Sequence, residues 1–342
     1  MTDDLRTFAL GLPKAELHLH LEGTLEPELL FRLAERNAVT LPFGDVEAVR
    51  AAYDFADLQS FLDLYYAGCA VLVTERDFFD LTYAYLARMA AENVRHVEVF
   101  FDPQTHTARG VAFETVADGI LRALETGERE WGITFRLIMS FLRDQSAESA
   151  AIALESARPY GERIVGVGLD SAELGHPPED FAEVYAEARM RGYRAVAHAG
   201  EEGPAAYITG ALDALGAERI EHGVHAIDDL ELLARLVRDR VPLTICPLSN
   251  VRLRVVPDLG SHPLKRLMDA GVMVTINSDD PAYFGGYITD NYVAAANALG
   301  LNRADLARLA ENSFTASFLD EGTKARHITE VRSYAREHGV EV

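Results

Sequence analysis

Residues 16–23 read ELHLHLEG, which sets His18 and His20 one residue apart among alternating leucines. This alternation predicts a β-strand, because successive side chains of a strand point to opposite faces. The two imidazoles therefore share one face of the predicted strand. An H-x-H pair alone is a weak signal, and hydrogen-bonded core histidines are the alternative. The choice between a site and simple packing depends on the rest of the chain.

Outward from this stretch, seven further apolar runs follow, separated by helical patterns. The eight predicted strands are Ala15–His20, Val94–Phe101, Thr134–Phe141, Ile164–Asp170, Arg194–Ala199, Arg219–His222, Pro242–Cys246 and Val272–Asp279. Most are apolar on both faces, as in a parallel sheet covered by helices. Eight strands alternating with helices predict an α/β fold, a single (β/α)8 TIM-type barrel over residues 1–342. A doubly wound sheet is the alternative, but no G-x-G-x-x-G follows any strand.

The first connection between strands, about residues 24–93, is unusually long and predicts a helical insertion after strand 1. Within it, the stretch DLQSFLDLYYAG places Phe61, Leu62 and Tyr65 at helical spacing. Long insertions at the C-terminal face of a barrel often cover the functional site. We expect these three side chains to line an apolar lid, with simple packing on the barrel as the alternative.

The charge and cysteine content narrow the class of partner. The chain has 54 acidic and 32 basic residues, a formal charge of −22, which argues against nucleic acids and anionic membranes. Its two cysteines, Cys69 and Cys246, cannot build a disulfide framework and predict a reducing compartment. There is neither a signal-peptide pattern nor an apolar run of 18 residues. We expect a cytoplasmic protein with a small-molecule partner, and a homo-oligomer stays open.

Polar residues gather where the predicted strands end, which is where barrel enzymes carry their functional groups. These residues are His18, His20, Asp170, His198, Glu201, His222, Asp279 and Asp280. Three imidazoles and a carboxylate around one open position suit zinc, and the predicted ligands are His18, His20, His198 and Asp279. Binuclear barrel hydrolases generally bridge two metals with a modified lysine at a strand end. None of the three lysines lies at such a place, so we expect one Zn²⁺ per chain.

With these residues assembled, the chain resembles the adenosine/adenine deaminase family of metal-dependent amidohydrolases. The resemblance runs from about residue 12 to 325 and is carried by ELHLHLEG, AHAGEEG, RIEHGVH, CPLSN and NSDDPAYFGG, in the family's order. It implies an aminohydrolase with zinc on the four ligands above. It also implies Glu201 as the proton donor, His222 beside the attacking water, and Asp280 as a hydrogen-bond partner of the purine ring.

Two departures from typical adenosine deaminases bear on the substrate. Glu22 stands where those enzymes carry a shorter Asp near the ribose, and LDSAELG replaces DLAGDE after strand 4. Ser171 and Glu173 then put polar groups near the N3 and N9 atoms of a purine. VEVFFDPQTH and NSDDPAYFGGY resemble adenine deaminases, so we expect hydrolysis of adenine to hypoxanthine and ammonia in purine salvage. The alternatives are N6-substituted adenines, adenosine, or a non-catalytic purine- or metal-binding barrel.

Overall fold

The centre of the fold is an eight-stranded parallel sheet, seen in a computed structural model that describes residues 2–341. The strands are β1 (Lys14–Glu16), β2 (Val94–Phe101), β3 (Thr134–Leu142), β4 (Ile164–Asp170), β5 (Arg194–Ala199), β6 (Arg219–His222), β7 (Leu243–Ile245) and β8 (Val274–Ile276). They lie side by side in sequence order. A bridge between Leu19, after β1, and Asp279, after β8, nearly closes the sheet. The prediction of a (β/α)8 TIM-type barrel is confirmed.

Helices surround this barrel and connect its strands. The α-helices are α1 (Thr2–Gly11), α2 (Pro27–Arg36), α3 (Val46–Ala51), α4 (Leu58–Cys69), α5 (Glu75–Ala91), α6 (Pro103–Thr107), α7 (Phe113–Trp131), α8 (Ala147–Ala157), α9 (Ala182–Met190), α10 (Ala205–Gly210), α11 (Leu230–Asp239), α12 (Pro247–Arg252), α13 (Leu264–Asp269), α14 (Pro281–Phe284), α15 (Ile288–Leu299), α16 (Arg303–Thr315) and α17 (Glu321–Glu337). Short 3₁₀ segments cover Glu22–Thr24, Arg158–Arg163, Pro178–Phe181, Val224–Asp228 and Leu259–Ser261, and a π turn covers Ala211–Leu215. Between residues 2 and 341, no helix combines the length and apolarity that a membrane span requires.

The strand bounds agree with the prediction most closely in the middle of the sheet. Strands β1, β7 and β8 are shorter than predicted, so His18 and His20 lie beyond the end of β1. The chain after β1 stays extended, and its backbone forms hydrogen bonds alternately with the end of β2 and with the stretch after β8. The His20 nitrogen donates to the Asp279 oxygen at 3.0 Å, and the Phe100 nitrogen donates to the Leu19 oxygen at 2.8 Å. The alternating face predicted for the two histidines therefore persists without a continuous ladder.

The segment between β1 and β2 contains α2 to α5. Asp57 is the N-cap of helix α4 and Thr74 is the N-cap of α5, and each forms a capping box at the start of its helix. The buried face of α4 packs on α14, just after β8, in an apolar cluster separate from the main core. The insertion therefore lies over the C-terminal end of the barrel.

Below the site, the barrel interior is filled by a buried ion-pair network. Arg219 donates to Glu98 at 2.5 Å, to Glu221 at 2.9 Å and to the Leu17 oxygen at 3.1 Å. All three charged side chains are fully buried, and such charges are tolerated only when they are paired. The other oxygen of Glu221 lies 3.3 Å from Nδ1 of His18, so this network reaches the site directly.

Candidate active site

A pocket opens at the C-terminal end of the barrel, beneath α4. Its wall is formed by His20, Leu58, Phe61, Leu62, Tyr65, Tyr66, Asp102, Asp170, Ser171, His198, Glu201, His222, Leu253, Asp279 and Asp280. Polar groups from the ends of several strands thus face apolar side chains of the insertion. Pockets of this composition, with a few convergent polar groups in an apolar setting, are typical of small-molecule sites.

Imidazole nitrogens and a carboxylate converge at the base of the pocket. Nε2 of His20 lies 3.1 Å from Nε2 of His198. Oδ1 of Asp279 lies 3.2 Å from Nε2 of His18 and 3.5 Å from Nε2 of His20. Two ring nitrogens this close need a shared cation or proton between them. The buried Nε2 of His18 also has no hydrogen-bond partner within the described part of the chain, which fits a metal-ligating atom.

His222 reaches the same point. Four residues each offer one possible ligand atom, and these atoms all lie within 4.8 Å of one another: His18, His198, His222 and Asp279. His20 does not join this set of four, but it forms similar sets with Asp279 and Asp280 and with Asp102 and Asp170. Five side chains therefore surround a centre that a tetrahedral metal would fill with four protein ligands or fewer.

The surroundings of the histidines orient their rings. Nδ1 of His18 lies 2.9 Å from Oγ1 of Thr244, and Nδ1 of His20 lies 3.5 Å from Asp170. These oxygens favour a proton on Nδ1, which leaves the Nε2 lone pairs facing the centre. Burial lowers the pKa of His18 and raises that of Asp279. Asp279, Glu221 and the Thr244 backbone together outweigh burial, so the pKa of His18 is raised. The neighbouring histidines together hold the pKa of Asp279 well below its usual range. A metal ion requires neutral imidazoles and an ionised carboxylate, so its binding would displace any proton held at this centre.

The backbone is strained where it delivers two of these side chains. His222 has φ +62° and Asp279 has φ +65°, in the left-handed region that non-glycine residues seldom adopt. Such positions concentrate at functional sites, where surrounding structure holds them in place. The left-handed backbone conformation changes the direction of each side chain at the end of its strand.

Glu201 lies beside the centre on the loop that leaves β5. Its Oε2 atom is 3.4 Å from Nε2 of His222, and its buried Oε1 atom lacks a hydrogen-bond partner among residues 2–341. Burial, with the charges of Asp279 and Glu173, raises the pKa of Glu201 well above its usual range. A carboxyl group that keeps its proton near neutral pH can act as a general acid.

Several carboxylate oxygens in the pocket lack a hydrogen-bond partner. Oδ1 of Asp280, Oδ1 of Asp102 and Oδ1 of Asp170 make no hydrogen bond in the part of the chain that the structure describes. Burial, with the charge of Glu22, raises the pKa of Asp102 to about 8. Unpartnered acceptors are rare in native interiors and mark where a ligand is expected. Sequence reasoning missed Asp102, although it directly follows β2 in the same way that Asp170 ends β4.

The position of Asp280 depends on the absence of a side chain at Gly23. A Cβ atom added to Gly23 would lie 2.0 Å from Oδ1 of Asp280 and 2.7 Å from its Cα. Only glycine allows this approach between the stretch after β1 and the stretch after β8. Gly23 therefore permits the position of Asp280 in the pocket wall.

The other predicted contacts divide into two groups. Phe61, Leu62 and Tyr65 line the pocket and also pack in the apolar cluster. The Tyr65 hydroxyl donates to Asp102 at 3.0 Å. Ser171 lines the pocket, and its Oγ lies 2.9 Å from the Tyr66 hydroxyl.

Glu173 differs from the expectation, because it does not line the pocket. Its carboxylate accepts backbone hydrogen bonds from residues 200–203, at 2.6 to 3.0 Å. Both oxygens are thereby engaged, and none is left to read the N9 side of a purine. Glu22 is also buried beside the pocket, where its Oε1 lies 2.7 Å from Nε2 of His106 and 3.2 Å from the Asp102 nitrogen.

The chain is similar to known proteins in both sequence and fold. The adenosine deaminase family pattern matches residues 13–334. An adenine deaminase of Streptomyces coelicolor is 62% identical over 327 residues, 95% of this chain and 96% of that protein. The crystal structure of an adenine deaminase from Arthrobacter aurescens superposes with TM-score 0.94 at 52% identity, covering 95% of this chain and 99% of that one. An amidohydrolase from Burkholderia ambifaria with bound Zn superposes with TM-score 0.89 at 28% identity, covering 98% and 94%.

Proposed function

This chain belongs to the adenosine deaminase family, and we propose the roles by which its residues deaminate adenine to hypoxanthine and ammonia. The chain is a hydrolase of this kind, since relatives of matching length and more than half identity carry the name adenine deaminase. The observation that carries the proposed roles is the convergence of imidazoles, Asp279 and a buried Glu201 in one pocket, where burial raises the pKa of Glu201. A binding module would not need such an acid.

We assign a single zinc ion to His18, His20, His198 and Asp279. Neutral imidazoles and one carboxylate suit this borderline cation, and the buried, unpartnered Nε2 of His18 supports the assignment. A zinc ion held there supplies a nucleophilic water at neutral pH, because zinc lowers the pKa of water from 15.7 to about 7.

Glu201 and Asp280 act on the purine ring itself. Purine C6 is a weak electrophile, and the proton held by Glu201 moves to the N1 lone pair, which draws electrons from the ring and makes C6 easier to attack. Asp280 has a raised pKa, chiefly through burial and the charge of Asp279, so it can donate a hydrogen bond to the N7 acceptor. His222, whose Nε2 lies 3.4 Å from Oε2 of Glu201, orients the attacking oxygen.

The far end of the pocket selects the free base. A free base carries an N9–H donor where a nucleoside carries ribose. We place Asp102 and Ser171 on the N3 and N9 side, since both line the pocket and Asp102 has a free acceptor. Glu22 is held by His106 at 2.7 Å and accepts from the Asp102 nitrogen at 3.2 Å, and we propose that it supports this end of the pocket and leaves less room for ribose than a shorter Asp would. Phe61, Leu62 and Tyr65 exclude water above the ring.

We further propose that the chain is one barrel domain with the insertion between β1 and β2 as its lid, and that its partner is a small-molecule purine. The charge of −22 disfavours a nucleic-acid partner. The two free, buried cysteines fit a cytoplasmic location.

An ammonia-release assay tests the substrate assignment. Adenine, adenosine, N6-methyladenine and isopentenyladenine are compared on the zinc-loaded full chain. We expect kcat/KM for adenine to exceed that for adenosine by roughly 100-fold or more, because ribose meets filled space. A higher kcat/KM for adenosine or for an N6-substituted adenine would reject adenine as the preferred substrate.

The role of Glu201 is tested by Glu201→Gln. Gln cannot deliver a proton, so kcat should fall by roughly 10²–10⁴-fold while bound zinc and adenine affinity persist. Metal content by elemental analysis and adenine binding by calorimetry serve as the controls. A variant with the wild-type kcat would remove Glu201 from the mechanism.

A further inference from the structure

A buried chain of hydrogen bonds leads from a backbone amide to His222. The Leu264 nitrogen donates to Nδ1 of His262 at 3.0 Å. Nε2 of His262 lies 3.1 Å from Oδ1 of Asn250, and Nδ2 of Asn250 lies 3.3 Å from Nδ1 of His222. The three side chains are at most 2% exposed, so no bulk water competes for these contacts. Asn250 ends the CPLSN stretch, for which the proposed mechanism has no role.

The direction of each bond follows from the first one. A backbone N–H can only donate, so Nδ1 of His262 accepts and the ring proton lies on Nε2. That Nε2–H group must donate to Asn250, which sets the amide oxygen toward His262 and the amide nitrogen toward His222. An amide nitrogen also only donates. Nδ1 of His222 therefore accepts, and the proton of His222 lies on Nε2.

Two further observations agree with this order. Burial lowers the pKa of His262 to about 4, so its ring is neutral at pH 7 and has a free Nδ1 lone pair. On the other side of His222, Nε2 faces Oε2 of Glu201 at 3.4 Å and Oδ2 of Asp279 at 3.7 Å. A proton on Nε2 meets oxygen acceptors there. A proton on Nδ1 would instead oppose the NH₂ group of Asn250.

We propose that His262 and Asn250 are positioning residues that keep the proton of His222 on Nε2, so that His222 meets the attacking oxygen as a hydrogen-bond donor. The inference rests on the proposed place of His222 at the reaction centre. A ring nitrogen that carries a proton cannot bind a metal, so His222 is not a ligand, and His20 takes the fourth position. In this state His222 stabilises negative charge on the oxygen at C6 rather than removing a proton from it.

Nuclear magnetic resonance of histidine nitrogens tests the tautomer directly. The full chain is labelled with ¹⁵N-histidine and measured with and without zinc, and the His222 signals are identified by their loss in His222→Gln. We expect the pattern of a neutral ring that is protonated on Nε2. A His222 ring protonated on Nδ1 in the zinc-loaded wild type overturns the proposal, whatever the substrate proves to be.

Asn250→Asp tests whether the relay sets this tautomer. A carboxylate only accepts, so His222 must turn its proton to Nδ1 to bond with it, and the donor at Nε2 is lost. We expect the reversed tautomer and a kcat about 100-fold lower, with KM within about threefold of wild type. An Asn250→Asp chain that keeps the Nε2 proton and the wild-type kcat refutes the relay.

A matched control separates the relay from general damage. Asn312→Asp removes a partly buried amide that donates to the Val274 oxygen at 2.9 Å, outside the relay. It should lower stability while leaving the His222 signals and kcat unchanged. If Asn250→Asp does not fold, the wild-type spectrum still decides. A wild-type His222 that is not protonated on Nε2 would contradict this inference alone. A wild-type chain that is inactive on adenine would contradict the proposed function.

Discussion

Oε2 of Glu173 lies 3.0 Å from the backbone nitrogen of Glu201 and accepts its hydrogen bond. The same carboxylate accepts from the nitrogens of Gly200 at 2.6 Å, Glu202 at 2.9 Å and Gly203 at 2.8 Å. Consecutive N–H groups form a concavity that binds anions, and here a buried carboxylate of the protein fills it. The loop that carries Glu201 therefore takes its shape from a residue in the preceding connection.

Glu173→Gln should lower kcat for adenine by about tenfold or more, with bound metal and KM near the wild-type values. Gln offers one acceptor oxygen and no charge, so at least one of the four amides loses its partner and the loop relaxes. Displacement of a catalytic group by about 1 Å is enough for such a loss. Steady-state kinetics and elemental analysis check the result.

The control for Glu173→Gln is Asp77→Asn. Asp77 is another buried carboxylate that accepts from backbone amides, those of Val73 at 3.0 Å and Thr74 at 2.7 Å, at the start of α5. Its replacement should cost stability without changing kcat. Equal losses of kcat in the two variants would contradict a specific role for Glu173.

His18→Ala should abolish stoichiometric metal binding. The substitution removes one nitrogen from the converging set and leaves the Asp279 carboxylate without its 3.2 Å partner. Elemental analysis after dialysis against zinc measures the loss. His327→Ala serves as the control, because His327 stacks on Phe314 at a centroid distance of 4.8 Å, away from the pocket. Full zinc occupancy in His18→Ala would show that the ligand set is wrong.

Phe61→Ala should shift the substrate preference toward larger C6 substituents. Phe61 lines the pocket and packs on Phe284 with ring centroids 4.7 Å apart, so its removal opens space in the lid. We expect the ratio of kcat/KM for isopentenyladenine to that for adenine to rise about tenfold. The free energy of unfolding should fall by about 3 kcal/mol.

Phe55→Ala is the matched control for the lid. Phe55 packs on Phe61 at 5.4 Å in the same apolar cluster but does not line the pocket. It should lower stability by a similar amount and leave the ratio unchanged. A ratio that moves equally in both variants would indicate a loosened lid rather than a pocket wall.

His262 should make the fold sensitive to mild acid. Its pKa is about 4 in the folded chain, because of burial, against 6.5 ordinarily. Between these values the unfolded chain binds a proton that the folded chain does not, so stability rises with pH through this window and is lost as pH falls. From pH 7 to pH 5 this loss amounts to about 2 kcal/mol.

Urea unfolding at pH 7 and pH 5 measures the contribution of His262. His262→Gln does not titrate, so its free energy of unfolding should drop less than that of the wild type over the same interval. Comparison of the two chains cancels the other titrating groups. Identical drops would mean that His262 is not held neutral in the folded state.

The sequence by itself determined the barrel and the convergence of its polar strand ends. Apolar runs of strand length alternating with helical periods admit few other folds. In a parallel barrel every strand ends at the same rim, so His18, His198 and Asp279 had to meet although up to 261 positions separate them. The period of two along a strand then sets His18 and His20 on one side.

The tertiary structure alone decided which polar groups face the ligand and which support the ones that do. Glu173 looked like a substrate contact, yet its side chain turns to the amides of residues 200–203. Asp102 faces the pocket, and Asn250 links His262 to His222. Hydrogen-bond partners depend on side-chain directions and on loops packed from distant parts of the chain. Periodicity along the sequence reports neither, so these contacts became visible only in three dimensions.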